Sequence, residues 1–452
     1  MSGLQTYQAL NIAAGVLSAA ARAPQKPAVV CEGNIVSYAE LATRIQVIAQ
    51  TARKALSLRA GDRVLLSAPN CAEYSEIVLG LAYAGIATVT LSPFLTAAEL
   101  EMIIEDCKPR GAIIHGMAKP SYEALDTEHF EFVLDLGGAF DETFKTVPIE
   151  VPPPRADETD AFAIAYTSGT TGKPKGVVLS HRSRVLTFFA MAAEYGCYGP
   201  DDTALCLAPM FHGAGLAFAL APIFFGGTAY LMGQFDPEAT LALLQDSKAT
   251  NVFMVPTHFH AIFALPPSTL EKFTFPHLKT IISNAAPLPQ STKTQIVEYF
   301  GEGKLFECYG STEAGIVSNL RPADQLRKTQ CVGQAFSCTE IQLLDDDGQA
   351  VKQGKLGEVF TRSPYIFNGY WEQDETTKAA MRGEWFSAGD LGRFDKDGYL
   401  YIEGRKKDMI ISGGINIYPR EIEELLHTHV SVAEAAVVGV PDERWGERVL
   451  SL

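Results

Sequence analysis

The sequence predicts an α/β fold, in which strands of largely parallel sheet alternate with helices, followed by a smaller β-rich region. Helix-like and strand-like stretches alternate through roughly the first 330 residues, the pattern of a parallel sheet with crossover helices. Pro148–Arg155 carries four prolines, so it is interpreted as a connector. From about Gly333, turns such as Asp345-Asp346-Asp347-Gly348 separate short strand-like runs, which predicts antiparallel hairpins or a small barrel.

In the first part, apolar residues spaced by three and four predict helices, and short apolar runs predict the strands between them. An amphipathic helix is expected at the N-terminus, with an apolar face formed by Ala9, Ile12, Ala13, Val16, Leu17 and Ala20. The next expected helices are Tyr38–Arg53, Glu73–Ala84 and Leu100–Cys107, and the expected strands are Arg63–Ser67, Thr88–Leu91 and Gly111–His115.

The same alternation continues beyond the connector. The expected helices are Arg182–Glu194 and Pro237–Gln245, and the expected strands are Thr203–Leu207, Asn251–Val255, Thr280–Ser283 and Lys304–Cys308. The last stretch is expected to contain a strand at Met409–Ser412, a helix after Pro419 and a strand at Ala435–Val438.

Composition excludes several classes of function. A chain of 452 residues is expected to hold more than one domain. Its net charge of −16 argues against nucleic acid or an anionic membrane as a partner. The eight cysteines contain no C-x-x-C pair, so they are expected to be free thiols in a reducing compartment. Without a signal peptide or an apolar run long enough to span a membrane, the expected location is the cytoplasm.

A glycine- and hydroxyl-rich loop follows the apolar run Ala161–Ala165. It reads Tyr-Thr-Ser-Gly-Thr-Thr-Gly-Lys-Pro-Lys-Gly at residues 166–176. Hydroxyls, unshielded backbone N–H groups and lysines are what a polyphosphate requires. The loop is not a Walker A motif, because Lys173 is followed by Pro174 rather than by Ser or Thr. It predicts a phosphate site outside the P-loop fold; an exposed flexible loop is the alternative.

A second cluster, Cys308–Glu313, directly follows a predicted strand, where ligands gather in open α/β sheets. Tyr309 offers a face for a stacked base, Thr312 a hydroxyl for a phosphate oxygen, and Glu313 a carboxylate for Mg²⁺. The alternative is the start of a helix.

Two further motifs carry polar groups in apolar surroundings. Asp390, within residues 385–392, suits a ribose diol, and Arg405 could reach the same sugar or a phosphate; a turn aspartate is the alternative. His212, between Phe211 and Gly213, is interpreted as the wall or gate of a pocket, with a structural histidine as the alternative.

Together these motifs resemble those of the adenylate-forming superfamily: acyl-CoA and aryl-CoA synthetases, firefly luciferase and the adenylation domains of peptide synthetases. The matching segments are 166–176, 309–314, 357–371, 385–392 and 404–423, in the order of the family. The resemblance implies an N-terminal domain over 1–404, with two doubly wound mixed sheets at about 1–160 and 161–330 and a small distorted β-barrel at about 331–404. A hinge at 405–408 and an incomplete α+β C-terminal domain at 409–452 follow.

The resemblance also implies activation of a carboxylic acid by ATP and Mg²⁺ as acyl-AMP, then transfer to the thiol of CoA. The expected catalytic residues are Thr167, Lys173, Thr312 and Glu313, with Mg²⁺ on Glu313 and the hinge at Lys407. Glu307 is expected near the exocyclic amine of adenine, and Gly413 and Gly414 in the pantetheine channel. The full set of nucleotide contacts that it implies is Thr167, Ser168, Gly169, Thr170, Thr171, Gly172, Lys173, Asn284, Ala285, Ala286, Pro287, Glu307, Cys308, Tyr309, Gly310, Ser311, Thr312, Asp390, Ile402 and Arg405.

The acid itself is only broadly indicated. The region Phe253–Phe259 contains no acidic residue that could pair with an α-ammonium group, which favours an aryl or medium-chain acyl acid. The expected pocket is apolar with small residues at its centre, and its members are Phe189, His212, Gly213, Met254, Asn284, Cys308, Gly310 and Ile316. Asn284 could contact a ring substituent or serve the adenine site through its backbone.

One departure from the family concerns its C-terminal catalytic lysine, which lies in a P-x-x-x-x-G-K stretch that does not follow Val449. The expectation is slow or undetectable adenylation with ATP and carboxylate, with nucleotide and preformed adenylate still bound. A ligase acting on a small carboxylic acid, ATP and CoA is the leading hypothesis. The alternatives are loading of an acyl carrier protein and a non-catalytic adenylate-binding protein.

Overall fold

The computed structural model describes residues 9–125, 130–144, 156–167, 174–412, 415–426, 429, 432, 435–442 and 444–452. The predicted connector therefore lies outside the described residues. The chain divides into two compact units. The first contains residues up to Met254 with Ala261–Ile281 and Tyr365–Thr377, and the second contains Val255–His260, Ile282–Pro364 and Lys378–Leu452. The predicted domain boundary at residue 404 falls inside the second unit.

Most of the described chain is in regular structure. The helices are α1 Ala14–Arg22, α2 Tyr38–Lys54, α3 Ala72–Tyr83, α4 Ala97–Cys107, α5 Lys119–Glu123, α6 Ala139–Thr143, α7 His181–Tyr195, α8 Gly213–Phe225, α9 Pro237–Asp246, α10 Pro256–Phe263, α11 Pro267–Leu270, α12 Gln290–Phe300, α13 Asp374–Ala379 and α14 Pro419–Leu426. Every helix and strand predicted between Arg63 and Cys308 is present, and its ends differ by at most three residues.

The strands follow in the same chain order. They are β1 Pro27–Cys31, β2 Asn34–Ser37, β3 Arg63–Ser67, β4 Ala87–Leu91, β5 Gly111–Ile114, β6 Phe132–Asp135, β7 Ala161–Thr167, β8 Lys175–Ser180, β9 Thr203–Cys206, β10 Thr228–Leu231, β11 Asn251–Met254, β12 Thr280–Ser283, β13 Leu305–Ser311, β14 Gly315–Leu320, β15 Gln334–Ala335, β16 Glu340–Leu344, β17 Gly357–Arg362, β18 Met381–Arg382, β19 Trp385–Phe386, β20 Asp390–Phe394, β21 Leu400–Arg405, β22 Ile410–Ser412, β23 Ile415–Ile417, β24 Val437–Asp442 and β25 Gly446–Ser451.

One sheet of the first unit has the strand order β6-β5-β3-β4-β7-β8. Its strands run parallel except for β8, which pairs antiparallel with β7. Every side chain of β4 and β5 is buried, as expected for parallel strands covered on both faces. Because β8 returns along β7, Thr167 lies opposite Lys175 in the register. The two ends of the glycine-rich loop are therefore fixed in neighbouring strands.

The first unit also contains the strand series β2-β1-β10-β9-β11, which is parallel except for the β1–β2 pair. Helices α2 and α4 begin at capping boxes formed by Ser37 with Glu40 and by Thr96 with Glu99. Such boxes satisfy backbone N–H groups at a helix start. All eight cysteines lie within the described residues and are free thiols. No helix in the described part of the chain is long and apolar enough to cross a membrane.

In the second unit, β13, β14 and β15 pair as an antiparallel series. A six-stranded sheet has the order β18-β19-β17-β20-β21, with β16 also paired to β17. A four-stranded sheet has the order β23-β22-β25-β24. The predicted antiparallel hairpins after Gly333 are confirmed.

The predicted β-barrel is corrected by this strand order. Strand β17 pairs with β16, β19 and β20, so the sheet branches at β17. No pairing among the described residues joins its free edges into a closed barrel. A barrel requires the last strand to pair with the first, and turn spacing alone does not determine that closure.

The N-terminal segment is held to the first unit by a buried histidine. Ile12 N–H donates to His181 Nδ1 at 3.2 Å, and Leu10 N–H donates to Glu158 Oε2 at 3.2 Å. His181 is fully buried, and burial lowers its pKa to about 4. The imidazole is therefore neutral at physiological pH and accepts a backbone hydrogen bond through Nδ1.

Acidification is expected to destabilise the fold partly through His181. An unfolded histidine takes up a proton near pH 6.5, whereas folded His181 does so only near pH 4. The unfolded state therefore binds more protons between these values, and the free energy of unfolding falls as the pH is lowered from about 6.5 to about 4. The His181 contribution is at most about 3 kcal/mol.

Chemical unfolding at pH 7, 6 and 5 checks this expectation with the variant His181→Gln, whose stability should depend less on pH. His277→Gln is the control, because His277 is exposed. Equal pH slopes for the wild type and His181→Gln would contradict it.

Candidate functional site

The second unit brings three of the predicted site residues into direct contact. Asp390 begins β20 and lies opposite Arg405, the last residue of β21. Arg405 Nε donates to Asp390 Oδ1 at 3.2 Å, and the Tyr309 hydroxyl donates to Asp390 Oδ2 at 2.6 Å. Asp390 is only 8% exposed. Its carboxylate is thus fixed from both sides, and its remaining lone pairs can accept hydrogen bonds from a ligand.

Tyr309 combines a polar end with an apolar ring. Burial, and then the neighbouring Asp390 charge, raise the pKa of its hydroxyl well above the usual value, so it remains a donor. Its ring packs on the apolar cluster Val332, Leu343, Val359 and Leu400. A ring supported in this way suits stacking on a planar base.

The residues around Tyr309 form a tight hairpin, because β13 continues through Ser311 and β14 begins at Gly315. The alternative of a helix start is therefore wrong. A Cβ atom on Gly310 would lie 2.0 Å from the carbonyl oxygen of Gly315, so only glycine fits this crossing. Thr312 and Glu313 lie in the turn and are half-buried.

A short loop after β12 faces the same hairpin. Asn284 Nδ2 donates to Cys308 Sγ at 2.9 Å, and Ala285 has a left-handed backbone with φ of +78°. The side chain of Asn284 is therefore hydrogen-bonded to Cys308 within the second unit. Both residues belong to the predicted acyl pocket.

Glu307 has a buried partner that the sequence did not reveal. Its Oε2 forms an ion pair with Nζ of Lys293, and its Oε1 accepts from Leu288 N–H at 3.4 Å. Lys293 is completely buried and Glu307 is 6% exposed. Lys293 lies in α12, whose sequence carries no motif, so no local signal marked it.

These groups line a cavity of about 650 Å³ in the second unit, a size typical of small-molecule sites. The predicted residues in its wall are Asn284, Ala285, Ala286, Pro287, Glu307, Cys308, Tyr309, Gly310, Ser311, Asp390, Ile402, Arg405 and Lys407. Thr312 and Glu313 lie beyond this wall.

The rest of the wall comes from residues that the sequence did not single out, among them Arg420, Glu423 and Glu447. Arg420 Nη1 donates to the carbonyl oxygen of Ile402 at 2.7 Å. Val437 N–H donates to Glu423 Oε1 at 2.8 Å. The start of α14 thus supplies a second guanidinium near Arg405.

Most of the predicted phosphate loop lies outside the described residues. The residues concerned are Ser168, Gly169, Thr170, Thr171, Gly172 and Lys173. The two flanks are described. Before the loop, the Tyr166 hydroxyl donates to Asp106 Oδ2. After it, Lys175 Nζ lies 5.0 Å from the centre of the Tyr370 ring. Both flanks are therefore anchored within the first unit.

The segment that leads to His212, the predicted gate, is held by hydrogen bonds of the Asn70 side chain. Asn70 Nδ2 donates to the carbonyl oxygens of Ala208 and Met232 at 3.1 Å each, and Met210 N–H donates to Asn70 Oδ1 at 2.8 Å. His212 is the residue before α8, and Gly213 is its first residue. Asn70, which the sequence did not mark, fixes the segment that leads to His212.

Phe189 is removed from the predicted acyl pocket. Its ring lies 5.9 Å and 5.2 Å from the rings of Phe224 and Phe225, at the end of α8. His212 precedes the other end of this 13-residue helix, which is roughly 18 Å long at the usual rise per residue. Phe189 and His212 therefore cannot face the same small group. Met254 is fully buried at the end of β11, and Ile316 is buried in β14.

The predicted hinge follows an anchored residue. Lys406 Nζ lies 2.7 Å from Asp346 Oδ1 and 3.2 Å from Glu358 Oε2, and Lys406 N–H donates to the Gly389 carbonyl oxygen at 2.8 Å. Lys407, the predicted hinge residue, lines the cavity. Gly413 and Gly414, predicted for the pantetheine channel, lie outside the described residues.

The site combines an enclosed carboxylate that accepts from two donors, a supported aromatic ring and two guanidinium groups. This combination is typical of a nucleotide-binding site. Residues 16–371 match the family of AMP-binding enzymes, and residues 421–452 match the AMP-binding enzyme C-terminal domain. Because the first match covers most of the chain, the chain belongs to the AMP-binding enzyme family.

Similar proteins support the same assignment. A feruloyl-CoA synthase from Amycolatopsis sp is 34% identical over 94% of this chain and 84% of its own length. The fatty acid–[acyl-carrier-protein] ligase ScoC from Streptomyces coeruleorubidus is 33% identical over 94% of this chain and 83% of its own length. ATP-bound MatB from Rhodopseudomonas palustris aligns with a TM-score of 0.88 at 30% identity, over 98% of this chain and 88% of its own.

Proposed function

We propose that this chain is an AMP-forming acyl-CoA synthetase, which activates a carboxylic acid with ATP and transfers the acyl group to the thiol of CoA. The observation that carries the proposal is the Asp390 carboxylate, held by Tyr309 and Arg405 at the wall of a cavity. Membership of the AMP-binding enzyme family and the resemblance to CoA ligases support it.

In the first step, a carboxylate oxygen of the acid attacks the α-phosphorus of ATP. The bond between the α-phosphorus and the bridging oxygen breaks, and pyrophosphate leaves with the electron pair. In the second step, the thiolate sulfur attacks the acyl carbon, and AMP leaves as the carbon–oxygen bond breaks. Both steps depend on positioning and on stabilising phosphate charge.

The proposed contacts to the base, the ribose and the α-phosphate come from residues of the cavity wall. Asp390 would accept the ribose hydroxyls, and Arg405 would lie between Asp390 and the α-phosphate. The Tyr309 ring would stack on one face of adenine, and the loop Asn284–Pro287 would contact the other. Thr167–Lys173 are proposed to bind phosphate groups because of their hydroxyls, glycines and lysine.

Mg²⁺ fits the donor at the hairpin turn. Glu313 is a half-buried carboxylate, and Mg²⁺ usually takes only one or two carboxylates beside phosphate and water. The ion would neutralise charge that develops on the departing pyrophosphate. Thr312, next to Glu313, would donate its hydroxyl to a phosphate oxygen.

The acid is proposed to be an aryl or medium-chain acyl acid without an α-ammonium group. The residues of the second unit that are proposed to contact the acyl group are Asn284, Gly310 and Ile316. Feruloyl-CoA synthase, a relative, is named for an aryl substrate of this kind. Lys407 is proposed as the hinge, and Gly413 and Gly414 as the pantetheine channel.

A carrier protein is the second candidate acceptor, because ScoC is named as a ligase for an acyl carrier protein. Supplying preformed acyl-AMP bypasses the adenylation step, so the rates of transfer to the two acceptors can be compared directly. We expect acyl-AMP with CoA to yield acyl-CoA and AMP, measured by chromatography, faster than acyl-AMP with a phosphopantetheinylated carrier protein.

A faster reaction with the carrier protein would favour the second candidate. Tight binding of acyl-AMP without transfer to either thiol would contradict the synthetase and favour a non-catalytic adenylate-binding protein.

A further inference from the structure

A short segment far along the chain pairs with the strand that follows the phosphate loop. Strand β8 lies beside β7 on one edge. Along its other edge, Val178 N–H donates to the backbone of residues 368–371 at 3.1 Å, and the Val178 carbonyl oxygen accepts from the same residues at 2.9 Å. The Gly176 carbonyl oxygen accepts from Trp371 N–H at 2.8 Å. Residues 368–371, here called the clamp segment, therefore cover β8 up to the end of the loop.

Side chains add contacts at the loop end of β8. Nζ of Lys175, the first residue of this strand, lies 5.0 Å from the centre of the Tyr370 ring, within the range of a cation–π contact. A Cβ atom on Gly176 would lie 3.2 Å from Cβ of Trp371, so the two backbones approach closely there. Backbone pairing alone is enough to cover a strand edge. The contacts at Lys175 and Gly176 go beyond that cover, and both lie directly after the loop.

The clamp segment is itself anchored in the first unit. The guanidinium carbon of Arg63 lies 5.0 Å from the centre of the Trp371 ring. The Asp106 carboxylate, near the end of α4, accepts from the Tyr166 hydroxyl, and it also accepts from Gln373 Nε2 at 3.5 Å. Tyr166 precedes the loop and Gln373 follows the clamp segment. One carboxylate therefore links the start of the loop to the segment that covers its end.

A loop that is held at both ends binds phosphate at a lower entropic cost. Polyphosphate binding by a loop depends on backbone N–H groups that point toward the ligand together, and ordering them on binding costs conformational entropy. Thr167 and Lys175 face each other in the β7–β8 register. The Tyr370 ring therefore restrains the second of these two ends, and it uses the charge of Lys175 to do so.

We propose that Tyr370 is a positioning residue that fixes the end of the phosphate loop through Lys175 and thereby strengthens the binding of ATP. Lys175 holds the loop in place and does not contact phosphate. The inference rests on the proposed function, which assigns phosphate groups to the loop.

The test compares the affinities for ATP and AMP by calorimetric titration with Mg²⁺ present and no acid. ATP carries two phosphates more than AMP, so the ratio of the two affinities reports on the loop. Tyr370→Leu removes the ring from Lys175 and should weaken ATP binding about five- to tenfold, the effect of one cation–π contact, while AMP binding changes by less than about twofold. Tyr370→Phe keeps the ring and should match the wild type.

Lys175→Met distinguishes a lysine that acts through Tyr370 from one that contacts phosphate. If Lys175 acts only through Tyr370, then Lys175→Met and the double variant Lys175→Met/Tyr370→Leu should each lose as much ATP affinity as Tyr370→Leu alone. Lys175→Met leaves the buried ring in place, so it serves as the test if Tyr370→Leu does not fold. The control Trp445→Leu removes a ring that lies 4.8 Å from the guanidinium carbon of Arg444, and it should leave the ratio unchanged.

A Tyr370→Leu protein that loses thermal stability but keeps the ratio of ATP to AMP affinity would overturn the inference, since the clamp segment would then serve the fold alone. A much larger loss of ATP affinity in Lys175→Met than in Tyr370→Leu would also overturn it, because Lys175 would then contact phosphate itself. In both cases the nucleotide site stands. If the wild type binds neither ATP nor AMP, the proposed function fails as well.

Discussion

Asp390→Asn is expected to weaken AMP binding by about 100-fold. The carboxylate accepts from both Tyr309 and Arg405, and an amide would turn an NH₂ group toward one of these donors. Arg405 would lose its charge partner, and the ribose would lose a charged acceptor. Hydrogen bonds to charged groups are worth about 1.5–3 kcal/mol each, so losing one or two gives this magnitude.

Calorimetric titration with AMP measures the effect. The matched control is Asp347→Asn, the same chemical change at an exposed turn residue, which should bind AMP like the wild type. Wild-type affinity in Asp390→Asn would show that the nucleotide does not use this carboxylate.

Gly310→Ala is expected to cost about 3 kcal/mol or more of stability and to abolish nucleotide binding. The added Cβ would lie 2.0 Å from the Gly315 carbonyl oxygen, which is backbone and cannot rotate away. The hairpin register between β13 and β14 would have to shift. That shift would displace Tyr309 on one side of Gly310 and Glu313 on the other. Effects of this size arise when a core or backbone crossing is overfilled.

Chemical unfolding and AMP titration together check this prediction. Gly116→Ala is the control, because no atom lies within 4 Å of its added Cβ. It should be as stable as the wild type. A Gly310→Ala protein with unchanged stability and affinity would mean that the hairpin tolerates a side chain.

Local patterns predicted the alternation of helices and strands well, because apolar spacing depends on only a few neighbouring residues. The β3 and β4 runs are built around Val, Leu and Ala, and all of their residues apart from Arg63 are buried. The motif residues around Tyr309, Asp390 and Arg405 were also predicted to share one ligand, and they line one cavity.

Features that depend on contacts across the chain were not predictable in this way. Lys293 looks like a solvent-facing helix residue until β13 places Glu307 beside it. The branching of the sheet at β17 depends on which strands meet its edges. The position of Phe189 depends on how α7 packs on α8, where its ring meets Phe224 and Phe225.

The most direct test of an acid-activating site is a titration with a non-hydrolysable acyl-AMP analogue beside AMP. An adenylate-forming enzyme is expected to bind an aryl or medium-chain acyl analogue at least about tenfold more tightly than AMP, because the acyl group adds buried apolar area. Equal affinity for the analogue and AMP, or no binding of either, would contradict the proposed function.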